Sequence, residues 1–251
     1  MLRLPFVVVA LLVLLAPAVR ADGTSSAQTA TKAIQDLTRY VDDVVKKGER
    51  PVFDKPPAST YLGQVLDGKA LAALPPPKGQ DVNWLVQWAD AMNKVNHLLI
   101  FTGAKSTSEA DQRAAIERNM TDYEGVMFPA WAFMARLQSR LLTSADLFMD
   151  SLPADQRTPV RQRGMAQIRD GHMQFVQGAI TTIAAGVQPQ NAKVLTAALR
   201  ETAPIWAPRI NEQEQNRLRS TLLEAKKHYT DQPLLDDLGG LALMIEGVRP
   251  K

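Results

Sequence analysis

Three histidines, His97, His172 and His228, are the side chains of this chain that are best suited to binding a metal or moving a proton. A histidine metal site needs imidazoles that converge on one ion, and the patterns HxxxH and HExxH supply two of them from one helix. Neither pattern occurs in the sequence. We therefore expect no metal site and no cofactor, and each histidine has to be judged by its own surroundings.

His172 has the most suggestive surroundings of the three. It lies on the apolar side of a helical pattern and is followed by Met173. Imidazole and thioether groups suit Cu(I), so this pair is the candidate metal site, and His172 alone is a candidate acid–base group. A methionine at helical spacing, however, is usually adaptable core. The sequence favours a core histidine with one satisfied hydrogen bond.

Tyr123 and Glu124 form the second candidate site, because they precede a break in the helical pattern. Pro129 lacks a backbone N–H and crowds the carbonyl of Gly125, so that one helix kinks there or another begins there. A bend can open a pocket, and a carboxyl group buried in it would have a raised pKa. In the alternative, which the sequence favours, Glu124 lies in solvent near the end of the preceding helix.

Motifs for nucleophilic catalysis and nucleotide binding are absent. The chain has no GxSxG, SxxK or P-loop pattern. It has no cysteine, which excludes thiolate nucleophiles, thiolate zinc sites and c-type haem attachment. We therefore favour a non-catalytic protein. The alternatives are a hydrolase-like enzyme or a metal- or haem-binding bundle, with a site near the Gly125/Pro129 break and His172.

Arg157, Arg161 and Arg163 concentrate positive charge around one helix start. Thr158 and Pro159 mark that start, as an N-cap followed by proline at the first helical position. Such a cluster can make a peripheral contact with anionic lipid headgroups or an acidic partner. Aspartates nearby in the sequence favour the alternative, which is an ordinary solvated surface.

The elements that must position these side chains are helices. The clearest pattern runs from Asn119 to Leu152, where apolar residues follow one another at spacings of three and four and only Gln138 is strongly polar. No segment shows the period-two alternation of a half-buried strand. We predict an all-α fold, a helical bundle of about seven or eight helices after a cleaved signal peptide.

A short internal sequence similarity, which we call the echo, bears on whether Pro129 kinks a helix or begins one. Residues 129–132 (PAWA) recur at 204–207 as PIWA, and residues 136–142 recur in part at 217–223. An ancient duplication and chance among helix-forming residues both explain the echo, and two copies do not establish a solenoid. The echo suggests that a proline followed two residues later by tryptophan begins a helix, so that Pro129 would begin the central one.

The N-terminus has the three parts of a secretory signal peptide. Arg3 supplies the positive start, residues 6–16 are apolar, and Val19 and Ala21 form a small-residue cleavage site. The apolar run is short for a membrane span and is interrupted by proline. We expect cleavage after Ala21 by the general secretory route, with no transmembrane anchor left after processing.

Proline-rich connectors divide the rest of the chain. Segments 49–59 and 74–80 contain three prolines each, so neither continues a helix. We predict a signal peptide at 1–21, an N-terminal helical pair with these connectors at 22–80, and the main helical bundle at 81–251.

Charge bears on the class of partner. Removal of the signal peptide takes Arg3 and Arg20 with it, which lowers the net charge from +3 to about +1. This balance gives no support for a nucleic-acid partner, which would need a basic face. We predict a periplasmic or secreted, non-catalytic binding or interaction module for a protein partner or an apolar small molecule of the cell envelope.

Overall fold

The structure is a computed structural model that describes residues 23–104, 106 and 108–247. The predicted signal peptide and its cleavage site lie outside these residues. Within the described ranges the chain forms α-helices and short 3-10 turns and no strand, which confirms the predicted all-α fold. Ten α-helices occur there, and two of them have only eight and six residues.

The helices follow one another through short connections. In chain order they are α1 (Gly23–Lys46), α2 (Ala58–Val65), α3 (Gly68–Ala73), α4 (Val82–Phe101), α5 (Glu109–Asp122), α6 (Glu124–Ser151), α7 (Pro159–Ala184), α8 (Pro189–Trp206), α9 (Glu212–Ala225) and α10 (Gln232–Glu246). Three glycines that follow helices, Gly48, Gly103 and Gly186, have φ values of 76°, 77° and 82°. Glycine adopts this left-handed conformation without strain, which is why it ends helices so often.

One compact unit, the N-terminal unit, consists of residues 23–76 and 83–130. Here α1 packs along α2. The side of α1 that is buried carries Ala27, Ala30, Ala33, Ile34, Leu37 and Val41. The indole N–H of Trp88 on α4 donates to the carbonyl of Val65 at 2.7 Å, which satisfies a carbonyl at the end of α2.

The other compact unit, the C-terminal unit, consists of residues 77–82 and 131–247. In it α10 packs along α8 and α9, and α7 packs on the same two helices. Ala132 and Ala135 of α6, Ala198 of α8 and Phe175 of α7 meet in one apolar cluster. Small side chains at this cluster let the three helices approach closely.

The two compact units divide the chain inside α6, between Ala130 and Trp131. By packing, α5 and nearly all of α4 belong to the N-terminal unit. The sequence-based division at 22–80 and 81–251 therefore groups the helices differently, and it stays a prediction.

Pro129 lies inside α6 and does not begin it. Pro204 likewise lies inside α8, in the turn before Trp206. The idea that a proline two residues before a tryptophan begins a helix is therefore wrong at both places. Pro129 and Gly125 are both exposed, so water can take the place of the backbone hydrogen bond that the proline removes.

The helix boundary lies at Tyr123, whose φ of −111° and ψ of 14° depart from helical values. Its N–H still donates to the carbonyl of Asn119 at 2.9 Å, and its own carbonyl accepts from the N–H of Met127 at 2.9 Å. Tyr123 therefore closes α5 and opens α6 with its own backbone.

We predict opposite effects for two glycine substitutions. A Cβ at Gly79 would lie 2.8 Å from the backbone N and Cα of Phe148, which cannot move aside as a side-chain end can. Gly79→Ala should lower the free energy of unfolding by about 1–3 kcal/mol. A Cβ at Gly63, inside α2, would meet no atom within 4 Å. Gly63→Ala should therefore raise the free energy of unfolding by about 0.5–1 kcal/mol. Urea unfolding measures both, and equal shifts would contradict the packing at Gly79.

Candidate functional site

His172 lies on α7 and is only 2% exposed. Its Nδ1 is 3.2 Å from Oε1 of Gln138, and its Nε2 is 3.5 Å from Oγ of Ser139. Because an amide oxygen only accepts hydrogen bonds, Nδ1 carries the proton and Nε2 accepts from the Ser139 hydroxyl. Both nitrogens of the imidazole are engaged by α6, and burial keeps the imidazole neutral.

The order of serine, imidazole and amide resembles a nucleophile, a base and an orienting group. Burial, together with the positive charge of Arg209, lowers the pKa of His172 to about 3, so the imidazole is a poor base at neutral pH. Gln138 has no charge with which to stabilise an imidazolium. All three side chains are buried. On this geometry the chain of contacts is a structural hydrogen-bond network of the core.

Met173, the other candidate metal ligand, follows His172 on α7 and is partly exposed. Consecutive residues of a helix point about 100° apart, so the thioether and the buried imidazole face different directions. In the part of the chain that the structure describes, no three His, Asp or Glu side chains are arranged to hold a metal ion.

His172 should make the stability of the protein depend on pH. Below its ordinary pKa of about 6.5, the unfolded chain binds a proton that the folded chain, with a pKa of about 3, does not. The free energy of unfolding should therefore fall as the pH falls from about 7 to 4, by up to about 3 kcal/mol from this residue.

The matched variant is His172→Gln, whose amide keeps a donor and an acceptor but does not titrate. Carboxyl groups contribute equally to both proteins, so the difference between the two unfolding curves isolates the histidine. If that difference is the same at pH 7 and pH 4, the imidazole is not buried in its neutral form.

A charged contact lies further along α6. Asp146 accepts hydrogen bonds from Nη2 of Arg169 at 2.9 Å and from Nε and Nη2 of Arg209 at 3.0 and 2.5 Å. Burial alone would raise the pKa of Asp146, but the two arginines outweigh it and hold that pKa below its usual value. Asp146 therefore joins α6 to α7 and to the turn after α8.

Tyr123 belongs to the N-terminal unit and is largely buried. Its hydroxyl donates to the carbonyl of Pro51 at 3.1 Å, and its ring meets Phe53 edge to face at 4.7 Å between centroids. Burial raises the pKa of the hydroxyl, and the nearby Arg50 opposes that rise. The hydroxyl is therefore a protonated donor that fixes the connector after α1.

Glu124, the other residue of this candidate pair, is the first residue of α6 and is partly exposed. A carboxylate at this position interacts favourably with the positive end of the helix dipole. Tyr123 and Glu124 lie in the N-terminal unit, whereas His172 and Met173 lie in the C-terminal unit.

A polar cluster that the sequence did not reveal surrounds Tyr123. The buried amide of Asn119 donates to the carbonyls of Ile100 and Thr102, at 2.9 Å each, and accepts from Nη2 of Arg50 at 3.1 Å. Arg50 also pairs with Asp122 and lies 5.4 Å from the centre of the Tyr123 ring. Asn119 thus satisfies carbonyls at the end of α4 and holds the arginine of the connector.

We predict that Asn119→Ala strongly destabilises the protein, because it leaves the carbonyls at the end of α4 and the Arg50 guanidinium without this amide. The expected loss is about 2–4 kcal/mol in the free energy of unfolding. Arg113→Ala is the control, since it removes only an exposed ion pair with Glu109 and should change stability by less than about 0.5 kcal/mol. Similar small losses in both variants would show that the Asn119 cluster contributes little.

The arginines predicted around a helix start do surround the start of α7. The Thr158 side chain caps this helix by accepting the N–H of Arg161 at 3.4 Å, and Pro159 occupies the first turn, as the sequence predicted. Arg157 and Arg163 are exposed. The cluster is therefore a surface feature of the C-terminal unit.

Comparisons with known proteins leave the function to be inferred from the chain itself. Protein-family models, curated proteins and solved structures gave no match. Among the described helices, none combines the length and apolar character needed to cross a bilayer.

Of the contact residues that the sequence did not reveal, the partners of His172 had the clearest sequence signal. Gln138 is the one strongly polar residue in the apolar pattern of α6, and His172 interrupts the apolar side of α7. Two polar residues that interrupt two buried stripes need partners, so each is the natural partner of the other. Arg50 and Asn119 gave no such signal, because 69 residues separate them in an exposed connector and an amphipathic helix.

Proposed function

We propose that this chain is an exported, non-catalytic helical module of the cell envelope that binds a protein partner through α9 and α10. One observation carries the proposal. Leu223 and Leu243 are 47% and 68% exposed, and Leu243 is the most exposed of the large apolar side chains in the described residues. His172 and Tyr123, by contrast, are buried and hydrogen-bonded inside the fold.

The two leucines lie together because α9 and α10 are antiparallel. Nη2 of Arg219 is 3.1 Å from Oε2 of Glu246, and Nζ of Lys226 lies 3.3 Å from where a Cβ of Gly239 would be. Residue numbers thus rise along α9 as they fall along α10. This fixes the register of the whole pair.

That register places Leu223 beside Leu243. Leu223 lies one turn after Arg219, and Leu243 lies one turn before Glu246, so both leucines fall on the same side of the Arg219–Glu246 ion pair. An apolar centre with a charged rim is the usual anatomy of a protein–protein interface. A helix of a partner with an apolar face suits this surface, which we call the α9–α10 face.

The test is a comparison of baits that differ only at this face. Wild-type protein should retain a partner from envelope extracts, and Leu223→Gln/Leu243→Gln should lose at least about tenfold in affinity for that partner once it is purified. Glutamine favours the helix and carries no charge, so the fold should persist. Val45→Gln is the control, because Val45 is a similarly exposed apolar residue of α1.

Three outcomes decide the matter. Loss of the partner in the double variant alone supports the proposal. Equal retention of the partner by all three baits would show that the binding surface lies outside the α9–α10 face. If no bait retains any protein or lipid, the binding function itself is wrong.

A further inference from the structure

The turn between α6 and α7 is a projecting surface of the C-terminal unit. We use "the α6–α7 turn" for residues 147–163. Residues 153–160 are all exposed, eight in a row, which is what a convex tip shows and a groove does not. The three arginines named above, Arg157, Arg161 and Arg163, all lie in it.

Two of these arginines are held in place by the backbone. Arg157 donates to the carbonyls of Leu152 at 3.0 Å and Asp150 at 3.2 Å. Arg161 donates to the carbonyl of Gln156 at 2.7 Å, and its guanidinium lies 6.0 Å from the centre of the Phe148 ring. Carbonyls and a ring face orient a guanidinium without neutralising its charge.

The positive charge of the turn is not cancelled by ion pairs. Within the described residues, no Lys/Arg–Asp/Glu pair closer than 4.0 Å includes Arg157, Arg161 or Arg163. The first turn of α7 also contains no acidic residue. Arginines at a helix N-terminus oppose the helix dipole, so they raise the positive potential where the local rule favours an acid.

The turn also exposes apolar side chains. Val160 is 50% exposed and lies between the arginines, and Leu147 is 43% exposed at the end of α6. Exposed apolar residues beside unneutralised arginines are the combination with which proteins bind the interfacial layer of anionic membranes. A convex tip fits the plane of a bilayer, whereas an acidic peptide would need a groove.

We propose that the α6–α7 turn is a peripheral contact for a bilayer that carries anionic headgroups. The guanidinium groups of Arg157, Arg161 and Arg163 face lipid phosphates, and Val160 and Leu147 enter the interfacial layer. Asp150 and Asp155 leave the turn with a formal charge of only +1, so the contact is weak, reversible and sensitive to salt. The contact is independent of partner binding at the α9–α10 face.

The experiment is vesicle flotation of the full protein, purified as expressing cells produce it, with wild type and variants handled in parallel. Partitioning onto phosphatidylglycerol-containing vesicles should exceed that onto pure phosphatidylcholine vesicles by roughly tenfold or more at low salt, and about 0.5 M salt should abolish the difference. Arg163→Gln is the cleanest variant, because this exposed side chain makes no hydrogen bond or ion pair with the residues that the structure describes. It should weaken partitioning about fivefold, and the triple glutamine variant roughly a hundredfold.

Arg113→Gln is the charge-matched control for Arg163→Gln, since it removes one exposed arginine of the N-terminal unit. It should leave partitioning unchanged. Equal weakening by the control and by Arg163→Gln would overturn the assignment of the turn and leave only a net-charge effect. No preference for anionic vesicles would overturn the membrane proposal, and tight binding of polyglutamate in its place would assign the turn to an acidic polypeptide.

Discussion

His172 is held inside the C-terminal unit by two consecutive residues of α6. A neutral imidazole has one donor and one acceptor, and Gln138 and Ser139 supply an acceptor and a donor in return. This exchange fixes how far α7 can turn or slide against α6. A carboxylate in place of Gln138 would instead favour the imidazolium and would bury a charge.

A second anchor repeats this connection near the surface. Asp146 lies two turns beyond Ser139 on α6, and Arg169 lies one turn before His172 on α7. One anchor is neutral and buried and the other is charged and partly exposed, in keeping with the cost of burying charge. Both commit polar groups to helix packing. Tyr123 and Asn119 likewise use their polar groups to hold neighbouring segments of the N-terminal unit.

Helices and the Thr158–Pro159 start could be predicted because their causes lie within a few neighbouring residues. Whether Pro129 lies inside a helix or begins one could not be predicted. The energetic cost of a proline inside a helix depends on whether water reaches the carbonyl that loses its hydrogen bond, here that of Gly125. The hydroxyl contact from Tyr123 to Pro51 was equally hidden, because 72 residues separate the two. The sequence marked His172 and Tyr123 as unusual, but whether such residues do chemistry or hold helices depends on long-range partners.

The division inside α6 has a consequence for how this chain can be inherited. Neither compact unit is a continuous stretch of sequence, because residues 77–82 group with the C-terminal helices. A gene break near Ala130 would cut a helix and leave its new ends with unsatisfied backbone groups, whereas a break in a loop would not. A single recombination break can therefore not exchange one unit intact.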